Sequence, residues 1–453
     1  MASNQQPNAA ATLPHSILIV GGGVFGLSTA LALTRRHSGR IILVESSPTI
    51  PNPHGSSVDA SRIVRADYAN QAYAALANDA IKQWRTTEWG REGRYTQNGL
   101  LMVASADNAA YMKQSYLNVK KIEGDAVQEL PTKADVQRII PEYGLEADVA
   151  GGYINWGSGW GDAEASVKFA KKKLDETGKV EFRTGDVKRL ISVPERNSQR
   201  RKITGVELLD GSTVTADLVI LATGAWTGRL VDLRGRASAT GQVLAYISIT
   251  DEEQEKLKDM PTVLNFSSGM FIIPPRNNLL KIARHAYGYR NPIQVPNPVP
   301  EQGGPRTIEV SIPENGVPIP PEGERACRKA LREMLPAFAD RPFVKTRVCW
   351  YTDTPKGDFI VSYHPSYTGL FLATGGSGHA YKFFPVIGDK VVDALEGRLD
   401  PELQKLWAWP ETPVASPDGA VYTEDGSRSG AKGMTLREEL AKTEISSPRS
   451  SKL

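Results

Sequence analysis

The sequence predicts an α/β protein in which a Rossmann-like nucleotide-binding domain is interrupted by a second, α+β domain with a mixed antiparallel sheet. Three observations lead to this prediction. An apolar strand near the N-terminus runs directly into a Gly-x-Gly-x-x-Gly turn and a helix. Strand and glycine patterns of the same kind return twice along the chain, and the segments between them lack these patterns. We therefore assign residues 15–90, 151–235 and 344–400 to the nucleotide-binding domain, residues 91–150 and 236–343 to the second domain, and residues 401–453 to a C-terminal extension.

The glycine motif follows the apolar strand Ile17–Val20 and opens a helix. Gly21 is expected to make the turn, Gly23 to let the backbone approach a pyrophosphate, and Gly26 to let helix and strand pack closely. The helix N-terminus, with its free amides, favours the bound anion. The cofactor-binding residues predicted from this motif are Gly21, Gly23, Val24, Phe25 and Gly26.

An acidic residue stands where a dinucleotide site needs one. A second predicted strand, residues 40–45, ends in Glu45, which lies 24 residues after Gly21. A ribose-binding carboxylate belongs at about this place, which argues against a turn without a ligand. Glu45 can bond a ribose hydroxyl and would repel a 2′-phosphate, so the motif favours FAD or NAD over NADP.

The composition excludes several classes of protein. The 453 residues carry 54 Lys and Arg against 51 Asp and Glu, a net charge of +3, which gives no reason to expect nucleic acid or a membrane as partner. The two cysteines, Cys327 and Cys349, have no paired spacing, which predicts neither disulfides nor a metal site and favours an intracellular compartment. Residues 17–33 are uncharged, but four glycines interrupt them and they are too short to span a membrane.

The chain ends in Ser451-Lys452-Leu453, the C-terminal peroxisomal address. This tripeptide follows a polar tail that could reach a receptor, so we expect a peroxisomal import receptor as partner and the peroxisome as location. The loop-like composition of residues 411–453 predicts a partly disordered appendage.

Two blocks in the predicted nucleotide-binding domain carry candidate binding residues. Ser56 and Ser57 end a loop rich in Pro, Ser and Gly. Arg62 and Arg65 follow three residues apart, so both can point into one site, with surface arginines as the alternative. Residues 223–226 follow an apolar strand, and their small side chains allow the backbone to approach a ligand.

Two further blocks place charged groups near strands. Lys281 and His285 alternate along a predicted strand and share one face, which either faces solvent or lines a polar active site. Further on, the strand Gly369–Thr374 enters the glycine-rich stretch Gly375–Lys382 ahead of a predicted helix over residues 386–395. The strand, turn and helix again provide free backbone amides for an anion.

Together these blocks resemble the FAD-dependent sarcosine oxidase and fructosyl amino acid oxidase (amadoriase) family, and especially fungal saccharopine and pipecolate oxidases. The similarity covers about residues 15–400 and is carried by Ser61–Arg65, by Cys349-Trp-Tyr-Thr-Asp-Thr and by Gly375–Lys382. It implies a glutathione-reductase-like FAD-binding domain and a substrate domain arranged as in D-amino acid oxidase-type flavoenzymes.

The resemblance also implies which residues bind the cofactor. FAD is the expected cofactor, linked covalently through the sulfur of Cys349, with Arg62 beside the flavin. The full set of predicted cofactor-binding residues is Gly21, Gly23, Val24, Phe25, Gly26, Glu45, Ser56, Ser57, Arg62, Val187, Gly224, Trp226, Cys349, Gly376, Gly378, His379 and Lys382.

Four residues are implied to be catalytic. Arg65 and Lys382 match the pair that holds the substrate carboxylate. Lys281 matches a lysine that activates O2 over the flavin, and His285 matches a histidine on the substrate side.

The implied activity is oxidation of the C–N bond of a secondary amino acid, N-alkyl or cyclic, to an imine that hydrolyses, with O2 reduced to H2O2. Saccharopine, pipecolate and sarcosine are the candidate substrates. Amadoriases carry an acidic residue where His285 stands, which favours a simpler substrate than a fructosyl amino acid. The alternatives are an amadoriase, a biosynthetic N-methyl amino acid oxidase, a flavin dehydrogenase with another acceptor, and a non-catalytic flavin-binding scaffold. The resemblance favours a monomer.

Overall fold

The computed structural model describes residues 12–141, 143, 147–195, 198, 200–298, 305–414 and 420–446. Numbered along the chain, its α-helices are α1 (Val24–Arg36), α2 (Gln71–Thr86), α3 (Ala110–Glu123), α4 (Lys133–Ile139), α5 (Ala163–Thr177), α6 (Asp251–Leu257), α7 (Pro321–Met334), α8 (Phe384–Leu395), α9 (Pro401–Leu406) and α10 (Leu436–Ser446). Short 3₁₀ turns occupy Glu88–Gly90, Ala106–Asn108, Gly124–Ala126, Gly224–Arg229, Pro336–Phe338 and Tyr381–Phe383.

A six-stranded sheet carries the glycine motif. Its strands are β1 (Ser16–Val20), β2 (Arg40–Glu45), β9 (Val180–Thr184), β13 (Leu218–Leu221), β21 (Ile360–Tyr363) and β23 (Leu370–Thr374). Their spatial order is β21-β23-β13-β1-β2-β9, and all pairs are parallel except β21 with β23. Because the carboxyl ends of parallel strands meet at one edge, the segments after β1, β2 and β13 come together there.

An eight-stranded sheet forms the second layer of the molecule. Its strands are β5 (Leu100–Ala104), β6 (Val127–Leu130), β7 (Gly151–Asn155), β14 (Ser238–Ser248), β15 (Thr262–Asn265), β16 (Met270–Arg276), β17 (Leu279–Arg284) and β20 (Lys345–Asp353). The order is β20-β14-β17-β16-β15-β5-β7-β6, antiparallel throughout except for the pair of β15 with β5. This is the mixed antiparallel sheet expected for the second domain.

The register of this sheet places two candidate residues on one face. Gln242 of β14 lies opposite Cys349 of β20, and Tyr246 of β14 lies opposite Lys281 of β17. Opposed residues of antiparallel strands point the same way, and positions 242 and 246 are an even number apart. The side chains of Cys349 and Lys281 therefore emerge from the same face.

Three smaller sheets complete the fold. A four-stranded sheet contains β10 (Val187–Pro194), β11 (Arg201–Leu208), β12 (Thr213–Thr215) and β22 (Tyr367–Thr368), a three-stranded sheet contains β3 (Arg62–Val64), β4 (Tyr95–Thr96) and β8 (Gly159–Gly161), and a two-stranded sheet contains β18 (Pro292–Pro296) and β19 (Thr307–Ser311). The mixture of a parallel sheet covered by helices and a mixed antiparallel sheet confirms the predicted fold class.

Local signals explain why the predicted elements form. Strand β1 is apolar and buried from Ile17 to Val20, as expected for a strand covered on both faces. The sequence predicts a helix over residues 163–177, and α5 has these limits. Asp162 caps its first turn by accepting from the amide of Ala165, and Gly178 ends it in the left-handed conformation, with φ of +61°.

The predicted domain limits stay a prediction. Strands β7 and β20 begin two of the segments assigned to the nucleotide-binding domain, yet both pair within the eight-stranded sheet. Two long strands thus pass from one predicted domain into the sheet of the other, and β20 carries Cys349 with it.

The described part of the C-terminal extension is packed against the rest of the chain, and whether the extension is partly disordered stays a prediction. Residues 420–435, here called the C-terminal strap, bury Val421, Thr423 and Arg428, and α10 follows. The polar composition concealed this packing, since the polar groups find partners inside the fold. Thr423 Oγ1 donates to the carbonyl oxygen of Thr354 at 2.8 Å. The tripeptide at 451–453 lies outside the described residues.

Within the described ranges, no helix combines the length and the apolar character needed to cross a bilayer. The described residues also contain no group of three or more His, Cys, Asp or Glu side chains arranged to hold a metal ion.

Candidate active site

A cleft of about 510 Å³ lies at the edge where β1, β2 and β13 end. Eight of the predicted cofactor-binding residues line it, and they come from four separate parts of the chain. Those that line it are Gly21, Gly23, Glu45, Ser56, Ser57, Val187, Gly224 and Trp226.

The glycines of the motif have no room for a side chain. A Cβ on Gly21, whose φ is +109°, would lie 2.4 Å from the carbonyl oxygen of Ala222. A Cβ on Gly26 would lie 1.9 Å from the carbonyl oxygen of Gly21. On Gly23 it would lie 2.8 Å from the Ser57 hydroxyl, which itself accepts from the amide of Val24 at 3.0 Å. The turn and the start of α1 are therefore packed as a pyrophosphate cradle requires.

Glu45 is buried at the side of this cleft. One of its oxygens accepts from the amide of Gly22 at 2.6 Å, and the other accepts from the amide of Ser47 and the side chain of Asn52. These bonds fix the carboxylate next to the glycine turn. Together with the cradle, it fits the pyrophosphate and ribose of FAD, which these residues would hold.

Cys349, Arg62 and Lys281 form a second, buried cluster. Nη2 of Arg62 lies 3.5 Å from the Cys349 sulfur and donates to the carbonyl oxygen of Ser56 at 3.0 Å. Nζ of Lys281 donates to the carbonyl oxygen of Ser61 at 2.7 Å. The face of β17 that carries Lys281 is thus buried, and the solvent-exposed alternative is wrong.

Asp59 links this cluster and was not among the predicted site residues. Its carboxylate is 2.6 Å from Nζ of Lys281, bonds Nη1 of Arg62 and accepts from the hydroxyl of Tyr246. Burial raises the pKa of Asp59, but the charges of Arg62 and Lys281 outweigh burial and hold it well below the usual range. Burial lowers the pKa of Lys281 to about 8, against the opposing effect of Asp59. Only the spacing of Asp59 three residues before Arg62 could have suggested the pair.

A chamber of about 640 Å³ lies beside the cluster and contains Arg65 and His285 in its wall. The guanidinium of Arg65 is buried and lies 4.8 Å from the ring centre of Tyr68. Among the described residues its Nη1 has no hydrogen-bond partner. A buried guanidinium N–H without a partner is costly, and a planar carboxylate would satisfy it.

Lys382 is also buried, and its Nζ donates to the hydroxyl of Tyr68 at 2.8 Å and to the carbonyl oxygen of His379 at 2.7 Å. Burial, and next the charge of Arg65, lower the pKa of Lys382 well below its ordinary value. Arg65 and Lys382 thus share one aromatic neighbour, Tyr68. His379, predicted as a cofactor residue, lines the chamber as well.

The C-terminal strap closes one side of the chamber with Tyr422, Glu424, Asp425 and Ser427. Behind them, Nη1 of Arg428 lies 2.6 Å from Nδ1 of His285. Burial, and next the charge of Arg428, lower the pKa of His285 well below its ordinary value, so the ring is neutral.

Arg428 is held in place by an ion pair. Its Nη2 donates to Asp353 at 2.6 Å and to the carbonyl oxygen of Ser377 at 2.8 Å. Arg428 was missed because a polar segment predicted to be partly disordered gave no reason to bring it to a site 143 residues away.

The glycine-rich stretch after β23 packs between the two sites. Gly378 has φ of +67°, and a Cβ there would lie 2.3 Å from the ring of Tyr351. A Cβ on Gly376 would lie 3.4 Å from the ring of Phe25 at the start of α1. The stretch thus connects the nucleotide cradle to Lys382, which ends it.

Comparison with known proteins places this geometry in a family. Residues 16–394 match the family model described as FAD dependent oxidoreductase. The chain is 32% identical to the amino acid oxidase imqH of Aspergillus flavus, over 88% of this chain and 98% of that protein. It is 31% identical to the L-saccharopine oxidase of Schizosaccharomyces pombe, over 89% of this chain and 95% of that protein.

Solved structures give the same answer. Fructosamine oxidase (Amadoriase II) from Aspergillus fumigatus superposes with a TM-score of 0.77 at 28% identity, over 95% of this chain and 97% of that one. A modified fructosyl peptide oxidase from Aspergillus nidulans superposes with a TM-score of 0.81 at 26% identity, over 94% of this chain and 98% of that one. The predicted resemblance and enzyme class are confirmed, and the chain belongs to the family of FAD-dependent oxidoreductases.

Proposed function

We propose that this protein is an FAD-dependent oxidase of secondary amino acids, N-alkyl or cyclic, that delivers the electrons to O2 and forms H2O2. The observation that carries the proposal is the buried Arg65, whose Nη1 has no partner among the described residues. Its side chain lines the chamber together with Tyr68, and Tyr68 accepts a hydrogen bond from Lys382. Two buried basic side chains near one chamber, the Arg65 guanidinium and the Lys382 amine, favour a carboxylate ligand. Saccharopine, pipecolate and sarcosine are the candidate substrates.

The residues divide the work between binding and electron transfer. Arg65 would hold the carboxylate as a bidentate fork and Lys382 as a point charge. FAD, when bound, supplies the acceptor for a hydride equivalent from the carbon next to the amine. The surrounding cations disfavour the ammonium form of the substrate, and only a neutral amine can give up the hydride. The imine that results hydrolyses in water.

The buried cluster supports the second half of the reaction. Lys281 carries a charge close to Cys349 and Arg62, so superoxide formed there would be stabilised. Cys349, buried and 3.5 Å from a guanidinium, is the expected site of a covalent bond to the flavin. Denaturing the protein in acid tests this bond: the pellet should be yellow for the wild type and colourless for Cys349→Ser.

A fructosyl amino acid oxidase is the second candidate, because the solved structures that superpose include fructosamine and fructosyl peptide oxidases. The neutral His285 stands where the amadoriases carry an acid, and it offers a sugar hydroxyl no charged partner. We therefore favour the simpler secondary amino acids. A biosynthetic N-methyl amino acid oxidase uses the same chemistry and falls within the proposal. A flavin dehydrogenase with another acceptor and a non-catalytic flavin-binding scaffold are the functions that compete with an oxidase.

The remaining proposals concern the location of the protein in the cell and its oligomeric state. The C-terminal Ser451-Lys452-Leu453 would direct the chain to the peroxisome through its import receptor, and H2O2 production suits that compartment. A relative of the same family is named monomeric sarcosine oxidase, and we propose a monomer here too.

A substrate panel coupled to peroxide detection tests the function. The FAD-loaded protein should form H2O2 with at least one of pipecolate, saccharopine, sarcosine or a fructosyl amino acid. Arg65→Met should lower kcat/KM by about 100-fold or more, because it removes a buried partner of the carboxylate. Arg35→Met, at an exposed ion pair with Asp389, is the matched control and should leave activity unchanged. Flavin reduction without peroxide would identify a dehydrogenase. If no amine reduced the flavin, the result would favour a non-catalytic flavin-binding scaffold.

A further inference from the structure

Lys382, Tyr68 and His379 form one hydrogen-bond chain, of which Tyr68 and His379 line the chamber. Nζ of Lys382 lies 2.8 Å from the Tyr68 hydroxyl, and that hydroxyl lies 3.0 Å from Nδ1 of His379. At the far end, Nε2 of His379 lies 2.8 Å from the carbonyl oxygen of Gly357.

The Gly357 carbonyl fixes the direction of this chain. A carbonyl oxygen can only accept, so Nε2 of His379 carries a hydrogen. Burial, and next the charge of Lys382, lower the pKa of His379 well below its ordinary value, which keeps the ring neutral. Nδ1 is then an acceptor, Tyr68 donates to it, and the Tyr68 oxygen accepts from Lys382.

Two positions on the Lys382 nitrogen are thereby occupied. One N–H is directed to Tyr68 and another to the carbonyl oxygen of His379 at 2.7 Å. A neutral amine has only these two N–H bonds, and its lone pair takes the third position. An ammonium has a third N–H in that position instead. The third position is thus the one left for a ligand, and whether it holds a hydrogen or a lone pair depends on a single proton.

The surroundings of Lys382 disfavour its ammonium form relative to a lysine in water. Burial and Arg65 lower the pKa of Lys382, with Asp67 as the opposing charge. A bound carboxylate would reverse this balance by favouring the ammonium. The charged and titratable groups around Lys382, Tyr68 and His379 are Arg65, Asp67, Tyr73, Tyr111, His285, Asp425 and Arg428.

We propose that Lys382 takes the amine proton of the bound amino acid, with Tyr68 and His379 as positioning residues that aim its lone pair at the ligand. This inference rests on the proposed function. In the step, an N–H bond of the substrate ammonium breaks and its electron pair stays on the substrate nitrogen. A new N–H bond forms at Nζ of Lys382. The products are a neutral amine, which can give up a hydride, and an ammonium, which pairs with the carboxylate.

Counting protons on binding tests the proposal. The holoenzyme is titrated by calorimetry at neutral pH, in buffers of different ionisation enthalpy, with two ligands that have no oxidisable C–H bond next to an amine. Cyclohexanecarboxylate brings no proton, so Lys382 must take one from solvent, and we expect an uptake of about one proton per ligand. The zwitterion 1-aminocyclohexanecarboxylate brings its own proton, so the net uptake should be close to zero. Equal uptake for the two ligands, or none for the carboxylate, would overturn the proposal.

Single substitutions test whether Tyr68 and His379 position Lys382. His379→Gln keeps an amide for Gly357 but gives Tyr68 no acceptor in the place of Nδ1, whereas His379→Asn puts an oxygen near that place. We expect Tyr68→Phe and His379→Gln to lower kcat about 10- to 100-fold and to shift the pH profile of kcat/KM, and His379→Asn to restore most of both. Unchanged pH profiles in Tyr68→Phe and His379→Gln would remove the positioning role.

The two levels of proposal fail separately. Peroxide from secondary amino acids without proton uptake from cyclohexanecarboxylate would reject the role of Lys382 alone. Absence of both peroxide and binding would reject the proposed function and this inference with it.

Discussion

The carboxylate of Asp59 lies 2.6 Å from Nζ of Lys281, and both side chains are shielded from solvent. Asp59 bonds Arg62 as well, so one buried negative group stands between the buried Lys281 and the partly buried Arg62. This relationship makes Asp59 a tuning group for Lys281, because the carboxylate raises a pKa that burial lowers.

The first prediction concerns the pH dependence of oxygen reactivity. Lys281 is charged below its pKa of about 8, and its charge would stabilise superoxide. The rate at which reduced flavin reacts with O2 should therefore fall as the pH rises through about 8, as stopped-flow mixing with O2 can show. Lys281→Met should slow this rate and abolish its pH dependence while flavin reduction continues. A variant that reacts with O2 at the wild-type rate would exclude Lys281 from the step.

In Asp59→Asn, the rate of flavin oxidation by O2 should fall at a lower pH than in the wild type, because the variant removes the group that raises the pKa of Lys281. It should also destabilise the fold by about 3–5 kcal/mol, since two cations lose their buried partner. Asp79→Asn is the control, because Asp79 pairs with Lys82 in an exposed ion pair, and it should cost about 0.5 kcal/mol or less. Urea denaturation measures both variants, and equal losses would contradict the prediction.

The C-terminal strap should contribute to both stability and substrate binding through Arg428. Arg428→Met leaves Asp353 buried without its cation, and we expect a loss of about 3–5 kcal/mol. Asp353→Asn in the same chain should recover part of that loss, because the uncompensated charge is then absent. The single variant should also raise KM, since the strap supplies a wall of the chamber. Additive losses in the double variant would show that the pair is not coupled.

Two glycines with the same backbone conformation separate strain from packing. Gly397 has φ of +70°, and apart from its chain neighbours no described residue has an atom within 4 Å of an added Cβ. Gly378 has φ of +67° and the Tyr351 ring at 2.3 Å from an added Cβ. Gly397→Ala should cost about 1–2 kcal/mol from the backbone alone. Gly378→Ala should cost about 1–3 kcal/mol more through overpacking. Thermal unfolding compares the two, and a similar shift in Tm for both would be the contradicting result.

The sequence predicted what local patterns determine. Helix α5 has its predicted limits because a capping aspartate and a terminal glycine mark both ends. The glycine turn and Glu45 were predictable because one strand and one helix bring them together.

Long-range relationships were beyond this reasoning unless a family pattern supplied them. Arg428 contacts His285 across 143 residues, and no periodicity in either segment records the contact. Asp59 and Lys281 are similarly distant, 222 residues apart, and the buried ion pair depends on how three strands and a loop assemble. The packing of the strap could not be predicted from its composition, because polar residues can pack well when their partners lie elsewhere in the chain.

The register of β14 has a consequence for how such an enzyme can change. Cys349 belongs to β20 and Lys281 to β17, the two strands that pair with β14, so backbone hydrogen bonds fix the separation of the two residues. The chamber wall, in contrast, includes surface segments such as the strap and residues 355–358. Insertions or exchanges in those segments can alter the shape of the chamber without moving Cys349 and Lys281. Substrate selectivity can therefore change in evolution through the surface segments, while the pairing of β14 with its two neighbours keeps Cys349 and Lys281 at a fixed separation.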